Sequence, residues 1–287
     1  CPNSQQRTMP PPARPYGEWV LHGPPSEDAP REDAKVLVRV LCFPQAGMGA
    51  WAFHGWTKYM AESVDVWPME LPARNSRMRE PKPTDIVRLA AEVVDGVARF
   101  LAQKPYCILG HSMGAWLAWE VVQEIKKRGL PMPKKCFFSG NRPPHLSGKE
   151  HDPDRISPSI GSLAAPEFWE AFERRYGKNP DLQAPHIRAF CYPMFSSDFK
   201  MIDAYKPTST APLDGIPLDG MGAIGDARTT QEHVKAWQEL TTGEFKELWF
   251  EGKSEPGYWG TSHRYMTDNP AKVATYIGEE CVKAVSA

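Results

Sequence analysis

The sequence has no apolar run approaching the length of a membrane span and no leader-like apolar core near its start, so neither a membrane-spanning helix nor a secretory leader is expected within it. A cytoplasmic location is the resulting expectation. Because the chain starts at Cys1 rather than Met, room is left for an organelle-targeting segment or an upstream domain that has been removed. No C-x-x-C spacing occurs. The six cysteines (Cys1, Cys42, Cys107, Cys136, Cys191 and Cys281) are scattered, three of them in apolar strand-like runs, which suits buried thiols in a reducing compartment better than a disulfide framework or a zinc site. Charge of one sign is not in excess. Lys and Arg number 34 against 35 Asp and Glu, for a net charge of -1, which gives no electrostatic footprint for nucleic acid. Internal repeats are absent as well.

What is present is enough apolar material for a core, 41% of 287 residues, and 29 prolines that are unevenly spread. Residues 1–33 are Pro-rich and polar and read as a tail, with Trp19-Val20-Leu21 as the part able to pin onto a domain spanning 34–287. Strand-like and helix-like segments then alternate. Strands are expected over 35–43, 64–71, 106–110, 134–140, 216–224 and 245–250, with helices at about 86–101, 115–125, 230–240 and 270–284. Thr84 is the expected cap of the first helix, whose stripe is Ile86, Ala90, Val93, Val97 and Leu101. Such alternation implies a parallel sheet covered on both faces. Between about 145 and 206 it is interrupted by Pro-rich turns and amphipathic pieces heavy in aromatic residues. That stretch reads as an inserted helical lid over a pocket for something apolar, most of its aromatics forming its own small core.

Within this frame one stretch carries chemistry. Tyr106-Cys-Ile-Leu-Gly110-His-Ser112-Met-Gly114 runs from a strand through G-x-S-x-G into a helix, the context of a nucleophile elbow. Ser112 would sit at the helix N-terminus, where free N–H groups and the helix dipole favour a developing negative charge. A serine needs a histidine to take its proton and a carboxylate to fix that histidine's tautomer. In this plan the chain order is Ser, acid, His. His22 falls in the tail; His54, His111, His145, His151 and His186 precede any plausible acid; and His233 reads as a helix-surface residue. His263, in a loop after a late strand, remains as the base. Asp226 lies between a strand and a helix, where the acid belongs. Asp203 falls in the lid, and Asp214 and Asp219, each followed by Gly, read as turn residues. The expected architecture is therefore the α/β-hydrolase fold, a mostly parallel sheet with helices on both faces.

With these residues placed, the chain resembles the type II thioesterases that accompany polyketide, fatty-acid and nonribosomal-peptide synthases. The resemblance runs from about Val36 to the last helix. Cys42-Phe-Pro-Gln-Ala-Gly47 is similar to the family's F-P-x-A-G-G loop, Leu71-Pro-Ala-Arg-Asn-Ser-Arg77 to its L-P-G-R-x-x-R segment, and Ser139-Gly-Asn-Arg-Pro-Pro144 to its S-G-x-x-x-P turn. Trp56 matches an early tryptophan, and Trp237 the tryptophan of an A-W-x-x-x-T segment. The departures are Met48 for a second glycine, Ala73 for the glycine of L-P-G-R, and a compact G-G-H stretched here into 252–263, which bears on where His263 rests. The resemblance implies that the backbone N–H groups of Ala46 and Met113 form the oxyanion hole. It implies hydrolysis of acyl thioesters on the phosphopantetheine arm of an acyl carrier protein, for editing or for chain release, with no cofactor or metal and by a monomer. The elbow alone would serve a carboxylester hydrolase or lipase equally. A carrier-protein-binding module with a degraded site would need the triad to be broken.

Overall fold

Six short segments, most of them buried throughout, lie side by side in one sheet: β1 (Val38–Phe43), β2 (Val64–Pro68), β3 (Tyr106–His111), β4 (Cys136–Ser139), β5 (Leu218–Ile224) and β6 (Phe245–Glu251). The computed structural model describes residues 17–21, 33–154, 157–252 and 260–286. Every strand pair is parallel, in the order β2-β1-β3-β4-β5-β6. Parallel strands buried on both faces need apolar side chains pointing both ways. In β1, Leu41 and Phe43 join one core while Val40 and Cys42 join the other.

The first core is closed by α1 (Ile86–Leu101) and α2 (Met113–Lys127). The opposite one is closed chiefly by α7 (Pro270–Ser286), through Val273, Ala274, Ile277 and Cys281. The stripe expected on α1 is buried as read, but the cap is Asp85. Its carboxylate accepts the Arg88 N–H at 2.7 Å from an extended backbone, one residue later than Thr84. The expected 230–240 helix is α5 (Gln231–Lys235) continued as a tighter 3-10 turn to Leu240.

Asp219 is not a turn residue. It lies inside β5 with its carboxylate 2.9 Å from Lys135 Nζ, and it accepts from Tyr276 Oη at 2.8 Å. The glycine after it serves close packing instead: a Cβ on Gly220 would come within 2.7 Å of the Val234 carbonyl. Asp214 does precede a turn, at Gly215 with φ +65°.

Between β4 and β5 the chain makes a long excursion containing α3 (Ala165–Tyr176) and α4 (Pro185–Ala204). Ile160, Phe168, Trp169, Phe195 and Phe199 give it a small core of its own. Near the N-terminus, the Glu70 N–H donates to the Trp19 carbonyl at 2.8 Å, and the Arg77 guanidinium lies 3.8 Å from the Trp19 ring. The rest of the Pro-rich segment, through residue 32, lies outside the described residues. No helix among the described residues is long and apolar enough to cross a membrane.

The strand order places the site. From β1 the chain goes to β2 on one side and then to β3 on the other, so the loops after β1 and β3 leave neighbouring strand ends and diverge. Ala46 follows β1, and Ser112 follows β3.

Candidate active site

The turn at Ser112 exists because two neighbours lack side chains. A Cβ on Gly110 would lie 2.2 Å from the Gly114 carbonyl oxygen, and one on Gly114 would lie 2.2 Å from that of Phe43. Ser112 holds φ 54° and ψ -120°, a strained backbone that its surroundings must over-determine. They do so from both sides. The Ser112 N–H donates to the Ser139 carbonyl at 2.8 Å, and Asn141 Nδ2 donates to the Ser112 carbonyl at 2.9 Å. Asn141 is held in turn by Trp237, whose indole N–H reaches the Asn141 carbonyl at 2.9 Å while its ring stacks on Phe138 at 4.2 Å. The S-G-N-R turn and the late tryptophan are thus supports of the elbow.

His263 Nε2 is 3.0 Å from Ser112 Oγ, and His263 Nδ1 is 2.9 Å from Asp226 Oδ2. Ser112, Asp226 and His263, singled out from three separate loops, therefore come together. Asp226 can only accept when ionised, which puts the proton on Nδ1 and leaves the Nε2 lone pair facing the serine hydroxyl. Burial opposes the charge on Asp226. Attraction to His263, the hydrogen bond from it, and the Arg228 N–H at 2.8 Å on Oδ1 outweigh that and hold the carboxyl below its ordinary range. His263 sits on a 3-10 turn (Ser262–Arg264) leading into α6 (Tyr265–Asp268), with the Tyr176 ring 5.4 Å from its own. The stretched segment before it does not displace it; residues 253–259 of that segment lie outside the described residues.

His111, passed over in the sequence, is part of the same assembly. Its Nε2 donates to the His263 carbonyl at 3.0 Å, and its Nδ1 accepts from Ser139 Oγ at 2.8 Å. Ser139 accepts in turn from Tyr265 Oη at 2.5 Å. The polarity is forced, because a carbonyl only accepts. Burial, reinforced by repulsion from His263, pulls the His111 pKa down to about 3, so it stays neutral and the wire stays intact. No single-sequence signal marks such a residue, since its partners are 28 and 152 positions away.

Ser112 and His263 open into a cavity of about 270 Å³ walled by Ala46, Met48, Phe172, Tyr176, Phe195 and Phe199 among others. Several of the excursion's aromatics therefore face the site as well as their own core. A second cleft of about 320 Å³ shares Gly47, Met48, Cys191 and Met194 with the first and is bordered by Trp51, Met78, Lys82 and Phe190. Trp51, Met78 and Phe190 are 46%, 50% and 65% exposed, an unusual display for large apolar side chains. Ala46 lies in the cavity wall, and Met113 opens α2, where the first N–H has no partner within the helix. Of the departures from the family pattern, Met48 has no left-handed backbone to support, whereas Ala73 does, at φ 65°.

The family model for the thioesterase domain matches residues 38–255. The chain belongs to the thioesterase family. Its match spans Ser112 and Asp226 and ends eight residues before His263, just where the stretched segment lies. The medium-chain S-acyl fatty acid synthase thioesterase of Homo sapiens is 26% identical over 252 residues, covering 86% of this chain and 88% of that protein. The linear gramicidin protein LgrE of Brevibacillus parabrevis is 28% identical over 238 residues, 82% of this chain and 84% of its own. LgrE bears the name dehydrogenase; the family model and the human relative are both thioesterases. RedJ, a thioesterase of the prodiginine biosynthetic pathway in Streptomyces coelicolor, superposes with a TM-score of 0.76 at 28% identity, over 97% of this chain and all of that one.

Proposed function

We propose that this thioesterase hydrolyses acyl groups carried as thioesters on the phosphopantetheine arm of an acyl carrier protein, through an acyl-Ser112 intermediate. The observation that carries the proposal is the unbroken Ser112–His263–Asp226 hydrogen-bond chain, 3.0 and 2.9 Å, at the edge of an apolar cavity. Ser112 Oγ attacks the thioester carbonyl carbon as its proton passes to His263 Nε2, and the carbonyl oxygen becomes an alkoxide facing the Ala46 and Met113 N–H groups. The alkoxide collapses, the C–S bond breaks, and the thiol leaves with the proton from His263. Water then gives a proton to His263 and attacks the acyl-serine ester. The C–O bond to Ser112 breaks, Ser112 regains its proton, and the free acid departs. Asp226 stabilises the imidazolium formed in each half and holds its orientation.

A thiolate is a good leaving group, so acylation asks little of His263 as an acid; the larger demand is charge stabilisation at the oxyanion. The α3–α4 excursion serves as the lid, its aromatics enclosing the acyl chain, and the second cleft is the side from which the arm approaches. The test compares one acyl chain on holo carrier protein, on a small thiol and as an oxygen ester. Carrier thioester should be cleaved fastest, and Ser112→Ala should lower turnover by about 10³-fold or more. Near-normal turnover in a folded Ser112→Ala protein would refute the serine mechanism, and equal rates on carrier and small thiol would refute the carrier as substrate.

A further inference from the structure

A carboxylate of the excursion reaches the loop that carries Ala46. Asp198, on α4, has a side chain that is 0% exposed. Its Oδ2 accepts the Gly47 N–H at 2.8 Å and Arg74 Nη1 at 2.9 Å, and its Oδ1 accepts Arg74 Nη2 at 2.8 Å. The same guanidinium donates from Nη1 to the Met48 carbonyl at 2.9 Å and from Nε to the Pro72 carbonyl at 3.1 Å. One ion pair therefore joins three segments: the loop after β1, the turn after β2, and the excursion.

The loop has a geometry that such a pair can decide. The Met48 N–H closes onto the Gln45 carbonyl at 3.1 Å, leaving Ala46 and Gly47 at the centre of a four-residue turn. Gly47 has φ +76°, the value at the third position of a type II turn. The orientation of the peptide between the two central residues is what separates type II from type I, and the N–H of that peptide is the one Asp198 holds. Gly47 also rests directly on α4, since a Cβ there would fall 2.3 Å from the Phe195 ring. Phe195 and Asp198 are three residues apart and share one helix face.

Two further observations separate this pair from ordinary structural cement. Arg74 is flanked by Ala73 at φ 65° and Asn75 at φ 44°, two of the three non-glycine residues with positive φ among those described; Ser112 is the third. Backbone strain of this kind persists only where surrounding contacts over-determine it. In addition, a buried ion pair contributes little net stability compared with an apolar pair of similar volume, because desolvation offsets the attraction. Its use here calls for a geometric reason.

We propose that Asp198, together with Arg74, is a positioning residue for acyl transfer: by holding the Ala46–Gly47 peptide it locks the 45–48 turn, and the locked turn presents the Ala46 N–H, in the preceding peptide, to the oxyanion. The oxyanion site is then complete only while α4 is seated on the loop. The inference rests on the role given to Ala46 above and extends it to a side chain that touches no substrate.

The test uses the full chain with two replacements. Asp198→Asn keeps the shape and breaks the bidentate pairing. The double variant Arg74→Met with Asp198→Leu removes both charges at once, so that neither is left buried alone, and its folding is checked by thermal unfolding before kinetics. Three quantities are measured: kcat, KM, and affinity for an acyl trifluoromethyl ketone, which forms a tetrahedral alkoxide on the serine, beside affinity for the uncharged thioether analogue of the substrate. The expected result in both variants is a kcat and a ketone affinity each lowered about 10- to 100-fold, with KM and thioether affinity within about two-fold of wild type. Ketone affinity within two-fold of wild type in the folded double variant overturns the proposal, as does an equal loss for ketone and thioether, the mark of a collapsed cavity. Ser112→Ala separates the two levels: if it is inactive while the double variant is normal, only the Asp198 role fails; if it retains turnover, the serine mechanism and the Asp198 role fall together.

Discussion

The ring of His111 donates from Nε2 to the main-chain carbonyl of His263, at 3.0 Å, so one histidine holds the backbone on which the other stands. His263 Nε2 meets Ser112 Oγ at 3.0 Å, and an error of about 1 Å in such a placement costs about 10²-fold in rate. Replacing His111 by Phe keeps a buried ring but leaves the His263 carbonyl and the Ser139 hydroxyl without that partner. We expect kcat to fall about 10-fold or more with KM nearly unchanged, measured by steady-state kinetics on a single acyl thioester. An unaltered kcat would show that His263 is held without it.

Tyr265→Phe addresses the far end of the same wire. It removes the donor to Ser139 but leaves Ser139 free to donate to His111. The expected cost is about 1 kcal/mol of stability with activity largely kept. Thermal unfolding together with kcat distinguishes this from an effect on His263, in which kcat would fall as far as in the His111 variant.

Much of the site was legible because its signals are local. The two glycines around Ser112, the strand before it and the helix after it lie within a few residues of one another, and chain order together with the place of each candidate in the strand–helix alternation singled out Asp226 and His263. Asp198 gave no signal. In the helical run Phe195-Ser-Ser-Asp-Phe-Lys200 it looks like any solvent-facing acid, and its partners are 124 and 151 residues away. Asp219-Gly220 misled for the converse reason, since a pair that favours turns was placed in a strand by the approach of Val234 and the charge of Lys135. The cap at Asp85 rather than Thr84 is a choice between adjacent good cappers, which only the backbone angles settle.

Glu70 gives a pH-dependent prediction. It sits against Asn75 Nδ2 at 3.1 and 3.2 Å, and burial raises its pKa to about 7 despite that hydrogen bond and the nearby Arg74 and Arg77. A carboxyl whose folded pKa exceeds its unfolded value binds its proton more tightly in the folded state. Its contribution is therefore fully present below about pH 4.5 and is lost as pH rises toward and through 7. Glu70→Gln should raise stability at pH 8 by about 1–3 kcal/mol relative to wild type and by much less at pH 5, read from denaturant unfolding at the two pH values. The same gain at both would mean that the charge is not the cause.

The elbow glycines should tolerate no side chain. At Gly110 and Gly114 the atoms that a Cβ would meet are backbone, which cannot swing aside. Gly114→Ala should lose about 3 kcal/mol or more, seen as a large drop in Tm or in soluble yield. A stable and active Gly114→Ala protein would disprove the close approach.

The exposed apolar trio of the second cleft gives the carrier proposal a surface to test. Phe190→Ser and Lys82→Glu both border that cleft, and neither residue lines the cavity at Ser112. Each should raise KM several-fold for an acyl group on holo carrier protein and leave the same acyl group on a small thiol unaffected. A parallel change on both substrates would argue for an effect on the cavity rather than on docking.

One rung of antiparallel pairing joins Gly177, just past α3, to Gly260, three residues before His263. Through it the excursion and the segment leading to His263 are paired main chain to main chain. Swinging Gly177 outward either breaks that rung or pulls on Gly260, which leads into the 3-10 turn that carries the His263 imidazole. On the mechanism proposed above, the rung would act as a safety interlock, with hydrolysis waiting until the door is shut.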